Sequence, residues 1–321
     1  VECNRSWINL QVKCEGCVIT FRDSLALIPG SLDALCKEYK VKYQKLTETV
    51  KHEDINEKNW EEHYDRCVRT YLMHDCLGLL EVLLTFQHTV FDNYQINITD
   101  CMTTSSLSKK VFFSKYYNLK APIYTLSKKH DEFIRSGYFG GRIECFYLGK
   151  FNGRLYYYDV TSMYPYTGTF PLPCGPPVEY EFPDDYVIPP TWDPDFPFGF
   201  IEVEVTGRKQ DLKCHKPLHC VEYNSMFVFP YIDGPTTMVL FSEEIKSGIE
   251  YGYKYKFKRG LLFKPRRILK QFFKDVFKRK VEEEKGNITL SNLNKLMMNS
   301  LYRAMGLNNE REMEQNEAHS K

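Results

Sequence analysis

Asp159 and its neighbours are the residues of this 321-residue chain best suited to chemistry. Leu155, Tyr156, Tyr157 and Tyr158 form an aromatic run that predicts a strand. Asp159 stands where that strand should end, and Ser162-Met163-Tyr164-Pro165 makes a turn directly behind it. A carboxylate at the mouth of a sheet can hold a divalent metal. The turn behind it offers backbone N–H groups to phosphates. Tyr164 is bulky enough to reject a ribose 2′-hydroxyl if a sugar lies beside it. The same residues also fit a buried strand whose Asp159 caps the next turn.

A second segment far downstream has helical spacing. Lys295, Asn299 and Tyr302 stand at i, i+4 and i+7 and share one helix face. Leu296 and Met297 lie off that face and can pack inward. Such a helix can present a cation to a triphosphate and a tyrosine to a base. It fits equally an amphipathic helix with a solvated lysine. A third pair, Tyr71 and Asp75, lies one turn apart on a predicted buried helix over 71–86. A nuclease carboxylate binds metal, and a nearby tyrosine hydroxyl can orient the attacking water. A buried Tyr beside a surface Asp gives the same pattern.

Other elements set these residues in place. Val18 to Phe21 are strand-like, and Ser31 is a predicted N-cap for a helix with Leu32, Leu35 and Cys36 on one face. Residues 48–62 read as an exposed loop or short helix. Gly140 and Gly141 allow a backbone to approach a phosphate closely, with Arg142 beside them. The prolines from 171 to 197 predict loop rather than regular structure. Phe200 to Val205 alternate as a strand. Residues 251–280 hold twelve Lys and Arg against one acid, Asp275. Tyr251, Tyr253, Tyr255 and Phe257 alternate there with polar or basic residues, predicting one aromatic and one cationic face. A helix should follow Pro265, with Phe272, Phe273, Val276 and Phe277 as its stripe. A basic face interleaved with aromatics suits a nucleic-acid backbone.

The net charge of +1 does not itself announce a nucleic-acid binder. The length allows about two domains. No apolar run suffices to span a bilayer, so no membrane partner is expected. Eleven cysteines, an odd number in a long chain, argue against a disulfide framework. Cys14 and Cys17, with Cys214-His215 and His219-Cys220, leave open an unrelated zinc-binding interaction protein.

The two chemical segments together resemble motifs A and B of family B DNA polymerases. Asp159 to Pro165 read Asp-x-x-Ser-x-Tyr-Pro, and Lys295 to Tyr302 read Lys-x-x-x-Asn-Ser-x-Tyr. Three further stretches are similar to the protein-primed branch of phages and linear mitochondrial plasmids. Tyr138-Phe139-Gly140-Gly141 resembles the Tyr-x-Gly-Gly signature. Asp23-Ser24-Leu25 is similar to a segment of the exonuclease domain, and Tyr71 to Asp75 to its third motif, Tyr-x-x-x-Asp. The resemblance runs discontinuously from about residue 21 to about 306.

The resemblance implies an α/β and α+β multidomain fold: an RNase H-like exonuclease remnant followed by part of a palm and fingers. On that basis 1–105 is the end of the exonuclease-like domain and 106–168 a palm segment. Residues 169–261 match an insertion that contacts the terminal protein, 262–306 the fingers helices, and 307–321 a tail. The implied reaction joins a primer 3′-hydroxyl to a dNTP on a DNA template-primer, with two Mg2+ ions. Asp159 and the Val160 carbonyl hold metal. Tyr164 gates the sugar and Lys295 neutralises phosphate charge. Ser162, Met163, Asn299 and Tyr302 complete the nucleotide site. Ser24, Leu25, Tyr138, Gly140, Gly141 and Arg142 contact DNA, and Tyr71 and Asp75 remain from the exonuclease site. A mitochondrial location is implied, with a cytoplasmic linear plasmid as the alternative.

The chain departs from the pattern. Arg303 follows Tyr302 where motif B has glycine. No Asp-x-Glu precedes Asp23, and no Asp-Thr-Asp, the pattern of motif C, occurs anywhere. One carboxylate cannot organise two metals, so neither nuclease nor polymerase activity is expected of this chain alone. A noncatalytic relic that binds DNA or a priming protein is the alternative.

Overall fold

The computed structural model describes residues 2–3, 6–7, 9–46, 61, 64, 68–117, 123–143, 145, 147–213, 217–224 and 226–306. Most of the polar stretch 48–62 and the cluster 214–216 lie outside them. In chain order the elements begin with two paired two-residue strands, β1 (Glu2–Cys3) and β2 (Ser6–Trp7). The hairpin β3 (Asn9–Cys14) and β4 (Cys17–Arg22) follows, then α1 (Leu32–Tyr39), α2 (Arg69–Tyr94), α3 (Thr104–Val111), α4 (Lys128–Ser136) and α5 (Met163–Thr167). After them come β5 (Leu172–Glu181), β6 (Gly199–Gly207), the hairpin β7 (Val221–Tyr223) and β8 (Met226–Val228), and β9 (Ile232–Phe241). The chain continues with α6 (Ser242–Tyr251), β10 (Lys254–Arg266), α7 (Lys270–Glu283) and α8 (Ile288–Met305). No helix among the described residues is long and apolar enough to cross a membrane.

These elements form two units, one of residues 1–117, 162–169 and 269–321, the other of 118–161 and 170–268. In the first, Ser31 caps α1 as its type predicts, its hydroxyl accepting from the Ala34 N–H. Helix α2 extends well beyond 71–86 and is not buried all round. One stripe at four-residue steps, Gly78, Val82, Phe86, Val90 and Tyr94, faces the core, while Leu72, Met73, Leu80 and Leu84 are exposed. Gly78 permits the close approach of α2 to the segment after α1, since a Cβ there would strike the Tyr43 carbonyl, and it would also press on Cys36 Sγ of α1. Helices α3 and α7 pack on α8. The α8 side facing them buries Leu293, Met297, Met298 and Leu301. Helix α7 buries Phe272, Phe273 and Val276, as its spacing predicts.

The second unit is built on an antiparallel sheet in the order β5-β10-β6-β9. Strand β6 alternates strictly, with Ile201, Val203 and Val205 fully buried beside Ile245 and Phe257. Here the proline reading is corrected: ten residues of the expected loop, Leu172–Glu181, form a strand. Two features tolerate its prolines. β5 lies at a sheet edge, and the register jumps from Leu262↔Val178 to Lys264↔Cys174. Pro176 and Pro177 sit in that jump, where no ladder hydrogen bond is asked of them. The strand expected over Leu155–Tyr158 is the opposite correction. It pairs with no strand among the described residues, and Leu155 and Tyr157 are 79% and 95% exposed. An aromatic run favours a strand only where a partner supplies the ladder.

Candidate nucleotide site

Helix α5 is only five residues long, so packing rather than helix propensity must fix it. Pro165 is buried beneath it. Gly168 at its end lies so close to the Phe273 ring that a Cβ would overlap it. Ser162 enters α5 at φ 53° and ψ 44°, a left-handed conformation that few non-glycine residues adopt. Strain of this kind persists where the surrounding structure over-determines it. The consequence is a fixed Tyr164. Its ring stacks on Tyr302 of α8 at 4.9 Å between centroids and 8° between planes. Two residues from distant sequence segments are thus brought together, and Tyr164 still keeps 51% of its surface exposed.

Helix α8 presents Lys295 and Asn299 to solvent on the face that carries Tyr302, as the i, i+4, i+7 spacing predicts. Met297 is buried and Leu296 half-buried. Lys295 and Asn299 border a cleft of about 270 Å³ whose walls include Ile28, Glu38, Tyr39 and Phe86. The Glu38 carboxylate is occupied by the Asn292 side chain, which donates to it at 2.9 Å. Neither Lys295 nor Asn299 is tied into an ion pair or hydrogen bond among the described residues.

Asp159 and Val160 fall in the other unit and are exposed. No hydrogen bond or ion pair engages the Asp159 carboxylate among the described residues. A free carboxylate and the adjacent Val160 carbonyl are hard oxygen donors, which fits a share of a divalent cation's shell. No cluster of three His, Cys, Asp or Glu suited to a metal occurs among the described residues. Arg142 is engaged on two sides: its guanidinium lies 4.2 Å over the Phe229 ring, and its Nη1 donates to the Pro217 carbonyl. Tyr138, Gly140 and Gly141 are exposed beside it. The Ser24 carbonyl accepts from the Leu27 and Ile28 N–H groups and closes a turn, and Leu25 is exposed.

Tyr71 and Asp75 share a face of α2 with a partner that sequence reasoning missed. Lys45 Nζ lies 3.4 Å from Asp75 Oδ2 and 5.4 Å from the Tyr71 ring centroid. A hydrogen bond to Tyr71 raises the Lys45 pKa most, and the Asp75 charge adds to it against the effect of burial. Lys45 follows Lys37, Lys40 and Lys42, and nothing in that run distinguishes it. The zinc reading loses one donor. His219 is fully buried, with Nδ1 on Glu244 at 2.9 Å and Nε2 on Tyr255 at 2.6 Å, so both ring nitrogens are committed.

The cationic face of 251–280 is divided. On β10, Lys258 pairs with Glu204, Arg259 with Glu202 and Lys256 with Asp184. These acids belong to β6 and the loop after β5, so the local sequence could not show them. The buried face carries Tyr253 and Phe257, as the alternation predicts, whereas Tyr251 ends α6 and is exposed, because the strand begins only at Lys254.

The family of DNA polymerases type B, organellar and viral, matches residues 44–315. The chain belongs to this family. A probable DNA polymerase of Neurospora intermedia is 28% identical over 335 residues, covering 91% of this chain and 33% of its own length. One from Podospora anserina is 26% identical, covering 90% of this chain and 25% of its own length. The DNA-directed DNA polymerase of Enterobacteria phage PRD1 is 27% identical over 146 residues, 46% of this chain and 22% of that protein. The fold is similar to Phi29 DNA polymerase, with a TM-score of 0.63 at 22% identity over 92% of this chain and 50% of that one. The chain therefore spans a quarter to a third of the length of these two fungal relatives. Its mixed helix and sheet fold is that of part of a type B polymerase.

Proposed function

We propose that this chain is the nucleotide-selecting part of a protein-primed DNA polymerase, which extends a DNA primer on a template by nucleotidyl transfer from dNTPs. The stacked pair Tyr164–Tyr302 carries the reading, because it joins the two polymerase motifs into one surface. The Phi29 neighbour has been solved with primer-template DNA and incoming nucleotide substrates, which supports DNA and dNTP as ligands. In the reaction a 3′-hydroxyl attacks the α-phosphate and pyrophosphate leaves. Two Mg2+ ions, when bound, acidify the hydroxyl and offset charge on the leaving group. Asp159 and the Val160 carbonyl would hold them in part. Lys295 offsets triphosphate charge, Ser162 and Met163 complete the nucleotide site, and Asn299 and Tyr302 shape the base pocket.

Stacking on Tyr302 gives Tyr164 its role. A ring held on one face cannot swing away from an added 2′-hydroxyl, so it can act as a rigid sugar gate. In a polymerase of the relatives' length, Tyr164→Ala should lower the preference for dNTP over rNTP by about 100-fold. An unchanged ratio in single-nucleotide incorporation would remove Tyr164 from the sugar site.

Ser24, Leu25, Tyr138, Gly140, Gly141 and Arg142 are assigned to the DNA strand, and Tyr71 and Asp75 to an exonuclease-type site. Residues 1–105, 106–168, 169–261, 262–306 and the tail 307–321 are proposed as functional segments. The insertion 169–261 is assigned to the terminal protein, supported by its exposed Val187, Trp192, Tyr223 and Met226. A mitochondrial location, with a cytoplasmic linear plasmid as the alternative, is proposed from the resemblance of the motifs to the polymerases of linear plasmids. Binding of a primer-template oligonucleotide should weaken steeply between about 50 and 200 mM salt. A flat response would count against phosphate contact.

A further inference from the structure

Helix α8 contains no acidic residue, and its two cations, Lys295 and Arg303, are both exposed. They stand eight residues apart, about 12 Å along the axis and within about a quarter turn of each other, with Asn299 between them. Several exposed cations elsewhere have acids at hand: Arg259 has Glu202, Lys129 has Glu179 and Lys278 has Glu282. Neither α8 cation has a carboxylate partner among the described residues. Arg303 also does not crowd the helix packing, because Leu301 and Ala304 take the buried positions around it.

We propose that Arg303 is a second phosphate contact of α8, and that it grips the backbone of a nucleic-acid strand beside the nucleotide. This rests on the polymerase reading for the identity of the face. Tyr302 and Tyr164 mark the sugar and base end of the nucleotide, and Lys295 lies two turns away on the N-terminal side. A triphosphate that reaches Lys295 therefore runs away from Arg303. The phosphate left for Arg303 belongs to the strand flanking the base pair. A planar guanidinium suits that contact, since it can give two parallel hydrogen bonds to one phosphate. The competing account is a cation placed in the last turn to complement the helix dipole. That account predicts a change in stability and none in the ionic character of DNA binding.

The test uses the purified chain, a fluorescent primer-template oligonucleotide and a salt titration. Arg303→Gln keeps a helix-compatible side chain and removes the charge. It should weaken binding about 3- to 10-fold near 100 mM salt and reduce the slope of log affinity against log salt by about one. dATP binding, followed separately, should be unchanged. Arg303→Lys should restore the slope. If wild-type chain binds the oligonucleotide and Arg303→Gln leaves the slope as it was, the proposal fails while the polymerase reading stands. If wild-type chain binds neither the oligonucleotide nor dATP, both fail.

Discussion

Asp159→Asn, placed in a polymerase of the relatives' length, should reduce primer extension by about three orders of magnitude or more and leave primer-template binding intact. Metal-held charge stabilises a phosphoryl transition state by several kcal/mol, and about 4 kcal/mol corresponds to about a thousandfold in rate. Asparagine keeps the shape of the side chain but not its charge, and it is a weaker ligand for a hard cation. The structure makes the expected loss a loss of chemistry rather than of fold. Asp159 is exposed and unengaged among the described residues. Substitution at such a site changes stability by only about 0.5 kcal/mol. Thermal unfolding of the variant should therefore overlay that of the wild type. Extension within tenfold of wild type would show that Asp159 is not a metal ligand. A lowered unfolding temperature would show that its carboxylate has a structural partner.

The parts of the molecule that sequence reveals are those where one short segment decides its own environment. Ser31 caps α1 through its own hydroxyl, β6 alternates because both its faces are fixed by period two, and α7 buries the stripe its spacing announces. The i, i+4, i+7 set on α8 is legible for the same reason. What stayed hidden depends on segments far away in sequence. Pro176 and Pro177 look like loop until β10 is known to supply an edge and a register jump. Tyr156 and Tyr158 look like a strand, but no strand among the described residues pairs with them. Lys256, Lys258 and Arg259 of β10 look free until Asp184, Glu204 and Glu202 come alongside. Lys45 is one lysine among several until α2 brings Asp75 to it. The stacking of Tyr164 on Tyr302 lies between these cases. Each tyrosine is marked by its own motif, but their contact needs Gly168 to let α5 settle against Phe273.

Gly248→Ala should destabilise the chain by about 3 kcal/mol, although it adds only one carbon atom. A Cβ on Gly248 of α6 would overlap the Tyr255 hydroxyl and press on His219 Nε2. Those two groups form a buried relay. With Glu244 ionised, the His219 Nδ1–H donates to its carboxylate, leaving Nε2 to accept from the Tyr255 hydroxyl. Burial first, and then the Glu244 charge, push the Tyr255 pKa far above its usual value, so the hydroxyl keeps its proton and can donate. Overpacking a core costs about 1–3 kcal/mol, and a buried hydrogen-bonding group left without a partner costs about as much again. Urea denaturation of the variant should show the loss as a lower midpoint with an unchanged slope. The double variant Gly248→Ala with Tyr255→Phe separates the two causes. Removing the hydroxyl takes away the nearest atom the new carbon strikes and leaves the ring carbon behind it at 2.8 Å, so the alanine should cost about half as much on the phenylalanine background. Strict additivity would mean that Gly248 is not held small by Tyr255, and that the relay is not what restricts this position.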